Sequence, residues 1–196
     1  MPTPYDSIAE DWHASRRAFT AKRYVDLLAR RLEPGASVLD LGCGTGEPVA
    51  RYLIEQGFRV VCVDESAAML EITRRLLPGA RLICADMCAL ELDERFAAVV
   101  AWDSLFHVER GRHRSVFEKL SSLLAPGGLL LLSAGGTGHA GFTSEMHGRD
   151  FFYSAHDPAE TLRLLTSAGF EIELCEEDDS SSRGHLAVVA RRIETE

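Results

Sequence analysis

The stretch Val38-Leu-Asp-Leu-Gly-Cys-Gly-Thr-Gly-Glu47 decides how this chain is read. Val38 to Leu41 is a short apolar run of the kind that forms a buried strand, and glycines follow it at once. From Pro48 to Glu55 the spacing is helical, and Gln56-Gly57 stops it as a C-terminal glycine does. A strand, a glycine turn and a helix in succession let a ligand approach the backbone, because glycine accepts positive φ and has no Cβ to hold the ligand off. Dinucleotide enzymes space this turn G-x-G-x-x-G, or with alanine last. Glu47 stands at that last position, so the dinucleotide fingerprint fails.

Outward from the turn, apolar runs and amphipathic stretches alternate. Arg59 to Asp64 predicts a second strand, rich in β-branched residues. Ser66 caps a helix that runs to Leu76 and stops at Pro78-Gly79. Arg81 to Ala85 and Phe96 to Trp102 are the third and fourth strands. Gly111 to Leu124 is a helix with Val116, Phe117, Leu120, Leu123 and Leu124 on its apolar side, broken by Ala125-Pro-Gly-Gly128 before a fifth strand, Leu129 to Leu132. Strands apolar throughout and separated by helices imply a parallel sheet covered on both faces. Pro158 opens a helix to Ala168, and Phe170 to Leu174 with His185 to Ala190 suit a closing antiparallel hairpin. Ile8 to Leu32 reads as one or two helices ahead of the first strand. Between the fifth strand and the last helix, Ala134 to Gly141 is glycine-rich and without periodicity.

The 196 residues fit a single domain spanning 1–196, with 46% hydrophobic and 26% charged residues, the balance of a globular protein. No apolar run approaches the roughly 20 residues that cross a bilayer. The opening residues Met1 to Asp6 lack the basic-then-apolar pattern of a signal peptide, so the expected location is cytoplasmic, with no membrane partner. Five cysteines form no C-x-x-C pair, and seven histidines form no metal-binding spacing, so no metal is expected. Cys62, Cys84 and Cys175 lie in apolar runs and read as small hydrophobes. The net charge of −9 disfavours a grip on nucleic acid. The acidic cluster Glu173, Glu176, Glu177, Asp178 and Asp179 reads as a solvated hairpin turn.

Asp64 closes the second strand beside the glycine turn, where a carboxylate can accept hydrogen bonds from both hydroxyls of a ribose. Asp86 follows the third strand at the same edge, within reach of an adenine amino group. With Val38 to Gly46 these residues resemble the class I S-adenosylmethionine-dependent methyltransferases, and Ala125-Pro-Gly-Gly-Leu-Leu130 matches that family's loop and fifth strand. The resemblance implies an α/β fold of three layers, Rossmann-like, with a mostly parallel seven-stranded sheet and an antiparallel C-terminal strand. It implies S-adenosyl-L-methionine as cofactor, bound by Asp40, Gly42, Cys43, Gly44 and Gly46, by Asp64 and Glu65 at the ribose, by Asp86 and Met87 at the adenine, and by Trp102 and Asp103. Tyr5-Asp-Ser-Ile-Ala9 with Trp12 looks like the opening helix of small-molecule members, which folds over the cofactor.

Methyl transfer is an in-line displacement in which the cofactor carries the hard chemistry and the protein positions the acceptor, excludes water and, for some acceptors, removes a proton. His107, just past the fourth strand, is the candidate general base, since its ordinary pKa lies near neutral; capping the next helix is its plainer role. The insert 135–156 is the expected substrate cover, where Met146, His147, Arg149, Phe151, Phe152 and Tyr153 combine apolar surface with donors, and Met146, Arg149 and Tyr153 are the expected substrate contacts. Phe106, and Tyr5, Trp12 and Arg16 of an N-terminal helical lid spanning 1–34, are the others. The expected function is methylation of an O, N or S atom of a small molecule by a monomer or homodimer. The alternatives are methylation of a protein or nucleic acid, against which stand the negative charge and the absence of an Asn/Asp-Pro-Pro-Tyr-like tetrapeptide, and a non-catalytic cofactor-binding module.

Overall fold

The strands of the sheet are β1 Ser37–Leu41, β2 Arg59–Asp64, β3 Arg81–Cys84, β4 Phe96–Ala101 and β5 Leu124–Gly135, followed late in the chain by β8 Phe170–Asp179 and β9 His185–Arg192. In this computed structural model, which describes residues 2–16, 18–179 and 184–193, they form one seven-stranded sheet in the order β3-β2-β1-β4-β5-β9-β8. β1 to β5 pair in parallel, and β9 runs antiparallel to both β5 and β8. The turn joining β8 to β9 lies outside the described residues.

The register explains why these strands are apolar along their whole length. Val60, Val38, Ala98 and Leu129 lie in one row across β2, β1, β4 and β5, and Val61, Leu39, Val99 and Leu130 lie in the next. Successive residues of a strand face opposite sides, so the rows enter different cores. The first row packs against α2 Lys22–Ala29 and α3 Val49–Glu55 through Tyr24, Val25, Leu28, Ala50 and Leu53. The second packs against α5 His113–Leu123 and α6 Pro158–Ser167 through Phe117, Leu120, Leu164 and Leu165. Both faces are therefore buried, and the three layers implied by the sequence are present. A side chain as fully buried as Phe117 contributes about 2–3 kcal/mol through the apolar area it removes from water.

Several boundaries differ from the sequence reading. Ala125-Pro-Gly-Gly128 does not interrupt the chain between helix and strand: β5 already begins at Leu124, opposite Phe96, with a register shift between Phe96 and Ala98. The glycine-rich insert is not aperiodic either. It forms a second, two-stranded antiparallel sheet of β6 His139–Met146 and β7 Arg149–Ala155, joined by His147 and Gly148, both at positive φ. That conformation at both loop residues matches the twist of a tight hairpin. Cys62 is buried as a small hydrophobe, but Cys84 and Cys175 are exposed. No helix among the described residues is long and apolar enough to cross a membrane.

The N-terminal region divides in two. A short 3-10 turn Pro4–Ser7 and α1 Ala9–Ser15 lie along α4 Ala67–Leu76, while α2 belongs to the core under the sheet. Asp6 Oδ1 accepts from Ser66 Oγ at 2.7 Å and from the Ala68 amide at 3.1 Å, fixing the first turn on the start of α4.

Gly46 joins the glycine turn to α4. It sits at φ +75, and a Cβ there would lie 2.8 Å from both Leu77 Cδ1 and Thr73 Cγ2. Gly46→Ala is expected to lower the stability of the fold by about 2 kcal/mol, from the left-handed backbone and the displaced side chains together. Thermal or urea unfolding checks this, and an unchanged midpoint would remove the packing role.

Candidate active site

The turn after β1 is held by the end of β2. The amides of Gly42 and Cys43 donate to the Val63 carbonyl at 2.8 and 3.0 Å, and the Gly44 amide donates to Asp64 Oδ2 at 2.8 Å. The other carboxylate oxygen of Asp64 accepts from the Ser66 amide at 2.9 Å, which ties the same side chain to the start of α4. From the opposite side, the loop after β4 presses on the turn. At Gly42, with φ +79, a Cβ would lie 2.3 Å from Ser104 Cβ, and Ser104 Oγ donates to the Leu41 carbonyl at 3.0 Å. No other residue fits there.

A cavity of about 510 Å³ opens over this turn along the carboxyl edge of the parallel strands. Of the residues anticipated from the sequence, it is lined by Asp40, Gly42, Cys43, Gly44, Asp64, Glu65, Asp86, Met87, Trp102, Asp103 and His107, and by Tyr5, Trp12 and Arg16 from the N-terminal segment. The remaining anticipated residues lie elsewhere. Gly46 packs on Thr73 and Leu77. Phe106 stacks on Tyr153 (5.8 Å between centroids), and Tyr153 stacks on Phe142 (5.2 Å), so their rings are spent on the hairpin. Met146 and Arg149 form the last pair before the hairpin turn, away from the cavity wall. Phe152 of the insert, anticipated as part of the cover, lines the cavity as well, and Ser104, Cys88, Val108, Glu109 and Arg112 line it without having been singled out as contacts. Of these, Ser104 could have been found, since a small residue must face a glycine this tightly packed.

One wall is acidic. Asp40 is buried in the cavity floor, and burial pushes its pKa up to about 7 against the partial relief of nearby Arg16. Its Oδ2 has no hydrogen-bond partner among the described residues, nor has the buried Nε1 of Trp102. Asp64 is also raised, chiefly by burial, and Glu65 by burial and then by the charges of Asp64 and Asp86. Asp86 accepts from the Cys88 amide at 2.8 Å and lies 3.6 Å from Arg112. The wall therefore holds carboxylate lone pairs in a desolvated setting, a surface suited to hydroxyl, amino and ammonium donors.

The other wall is aromatic and closed from the N-terminus. Tyr5 and His107 share a 2.8 Å hydrogen bond, and His107 Nδ1 lies 2.9 Å from the Phe152 carbonyl. A carbonyl only accepts, so the proton is on Nδ1 and Nε2 accepts from the Tyr5 hydroxyl. Burial lowers the His107 pKa and raises that of Tyr5, so the pair rests as neutral imidazole and phenol. Trp12 covers the glycine turn, its ring 3.4 Å from where a Gly44 Cβ would stand. The Arg16 guanidinium lies 4.6 Å over the Trp12 ring and 3.3 Å from Asp103. Ser15 Oγ, at the end of α1, meets His147 Nε2 of the hairpin turn at 3.2 Å.

Residues 38–128 match the methyltransferase domain family. Over 109 residues the chain is 36% identical to a trans-aconitate 2-methyltransferase of Paracidovorax citrulli, covering 55% of this chain and 42% of that protein. Over 119 residues it is 33% identical to a carboxy-S-adenosyl-L-methionine synthase of Aliivibrio salmonicida, covering 56% and 49%. The chain thus spans less than half the length of these curated relatives. Its fold is similar to that of the Burkholderia thailandensis 1,6-didemethyltoxoflavin-N1-methyltransferase, solved with 1,6-didemethyltoxoflavin and S-adenosylhomocysteine. The TM-score is 0.72 at 21% identity, over 99% of this chain and 92% of that one.

Asp40 gives this wall a stability signature. Its folded pKa lies above its unfolded value near 4, so ionisation is disfavoured in the fold, and stability falls as pH rises from about 4 to about 7. In the ligand-free protein, Asp40→Asn is expected to raise stability at pH 7.5 by about 1–3 kcal/mol, the gain vanishing towards pH 4. Melting curves across that range check it, and a variant that melts lower than wild type at pH 7.5 would refute the buried-charge account.

Proposed function

We propose that this chain is a class I S-adenosylmethionine-dependent methyltransferase, that it binds S-adenosylmethionine over its glycine turn, and that it methylates an O, N or S atom of a small cytoplasmic molecule. The observation that carries this reading is a pair of buried, unpartnered atoms on two residues that line the cavity: Asp40 Oδ2 accepts, Trp102 Nε1 donates, and the two suit the ammonium and carboxylate of a methionine moiety. The remaining wall fits the rest of such a ligand. Asp64 spends one lone pair of each oxygen on Gly44 and Ser66 and keeps the others, and Glu65 beside it has no ion-pair or hydrogen-bond partner among the described residues, so the two carboxylates serve the ribose hydroxyls. Asp86 and Met87 serve the adenine.

When bound, S-adenosylmethionine supplies a methyl group already activated on a sulfonium. The chain's own residues then hold the acceptor in line, keep water out and take up a proton. Trp12 and Tyr5 close the cavity from above, with Arg16 anchored on Asp103. For an acceptor that loses a proton, Tyr5 and His107 act together. The Tyr5 oxygen takes the acceptor's proton while its own passes to His107 Nε2, and His107 becomes an imidazolium steadied by the Phe152 carbonyl. His107 thus acts as a base through Tyr5 rather than on the acceptor directly.

A small acceptor suits the short hairpin cover, the cavity of about 510 Å³ and the net charge of −9, which repels nucleic acid. The names of two of the similar proteins, acting on trans-aconitate and on 1,6-didemethyltoxoflavin, point the same way.

Incubating the protein with S-adenosylmethionine and a metabolite panel is expected to release S-adenosylhomocysteine with one class of small molecule and with neither RNA nor protein mixtures. Release only with a macromolecule would overturn the small-molecule reading. With the acceptor in hand, Tyr5→Phe is expected to lower kcat by about 10–100-fold with less than about twofold change in cofactor affinity. Because His107 titrates below its ordinary value, the wild-type rate should stay flat from pH 8 down to about 6.5 and fall only below that. An unchanged rate in Tyr5→Phe removes the proton relay.

A further inference from the structure

Beyond the cavity wall, Asp103 continues into a chain of charges. Asp103 follows β4 with φ 54, a left-handed conformation that costs a non-glycine residue free energy and persists only when its surroundings impose it. Three contacts impose it here. Its amide donates to Ser133 Oγ at 2.7 Å, its Oδ2 faces Arg16 at 3.3 Å, and its Oδ1 lies 3.0 Å from His185 Nε2. The other nitrogen of His185, Nδ1, lies 2.5 Å from Asp178 Oδ1. Carboxylates at these distances only accept, so a ring flanked by two of them must donate from both nitrogens, and that is an imidazolium. The ion itself is placed by the final hairpin: His185 opens β9, opposite Gly135 of β5 and Asp179 of β8.

We infer that His185 is a positioning residue of this site: clamped as a cation between Asp178 and Asp103, it sets the Asp103 carboxylate against Arg16 and so holds the N-terminal segment over the cavity. The inference rests on the reading that the cavity binds S-adenosylmethionine. A neutral His185 has a single N–H, which stays on the shorter bond to Asp178. The lone pair of Nε2 then faces Asp103 Oδ1, and the repulsion turns the carboxylate away from Arg16. Arg16 follows α1 directly, and its guanidinium also covers Trp12, so loss of the ion pair frees the segment that roofs the glycine turn.

The other described groups near the ring leave the two carboxylates as its partners. Burial opposes its charge, but hydrogen bonds to Asp103 and Asp178 outweigh it, and the pKa lies above the ordinary value. The Trp102 ring meets it edge-on at 5.2 Å, with Tyr24 of α2 behind at 5.3 Å. Tyr24 donates to Glu176 at 2.8 Å, and Arg23 pairs with Glu176, so that carboxylate is occupied elsewhere. Since the folded pKa is raised, the clamp is complete below the ordinary histidine range and is lost as pH rises through the folded value.

Two measurements test this. Ring-nitrogen NMR of the ligand-free protein, with the His185 signals assigned by their loss in His185→Gln, is expected to show both nitrogens protonated at pH 6.5. Asp178→Asn, whose amide oxygen still accepts from Nδ1, should lower the titration midpoint. In parallel, the calorimetric affinity of wild type for S-adenosylhomocysteine, taken relative to His185→Gln at each pH so that the shared titration of Asp40 cancels, should fall from about five- to tenfold tighter at pH 6.5 to about equal at pH 9, and the same advantage should be lost at lower pH in Asp178→Asn. A His185 neutral at pH 6.5, or a pH profile that His185→Gln leaves intact, overturns the inference. Wild type that binds no S-adenosylhomocysteine at any pH removes the cofactor reading instead, while the ring titration still reads the clamp.

Discussion

The hydrogen bond from the Gly44 amide to Asp64 carries more of this molecule than any other single contact. Together with the bonds from Gly42 and Cys43 to the Val63 carbonyl, it fastens the turn that leaves β1 onto the end of β2. Three successive backbone amides are thereby satisfied without a helix or strand ladder, which is the condition for leaving a glycine turn open to a ligand. The second oxygen of Asp64 starts α4, and α4 in turn receives Asp6 of the N-terminal segment. One carboxylate thus organises the floor, the side wall and the seat of the roof. Ser104 completes the arrangement from β4, in the space that Gly42 leaves for it.

That organisation sets Asp40 and Asp64 in a desolvated floor, with Glu65 and Asp86 along the edge, and Asp40 is raised to about 7. Crowded, partly unsatisfied carboxylates oppose folding, and their cost is met by two thoroughly packed cores on the faces of the sheet. The energetic division is spatial: the strands supply stability along their length, and their carboxyl ends supply the polar groups left over for binding.

Much of this was legible in the sequence. The parallel strands announce themselves as unbroken apolar runs because both faces are buried, and the glycine turn and Asp64 follow from what a tight turn and its carboxylate partner require. What was hidden shares a cause: it depends on contacts distant along the chain. The β6–β7 hairpin carries few buried side chains, so its alternation is faint, and its signal is only the His147-Gly148 pair. Phe106 and Tyr153 looked like substrate contacts because of their chemistry, yet they stack on one another. The acidic run on β8 read as a solvated turn, but Glu173 pairs with Arg31 and Arg191, Glu176 with Arg23, and Asp178 with His185. No local pattern joins His185 to Asp103, 82 residues earlier.

The N-terminal segment roofs part of the glycine turn, with Trp12 over Gly44, Tyr5 on His107 and Arg16 on Asp103. Floor, wall and roof are thus built from separate parts of the chain around one space. Titration calorimetry of S-adenosylhomocysteine into the ligand-free protein at pH 6.5, compared with Asp64→Ala, tests that most directly. Binding at one site per chain is expected, weakened at least about tenfold by the substitution. An absence of binding heat in wild type, confirmed by equilibrium dialysis, would contradict it.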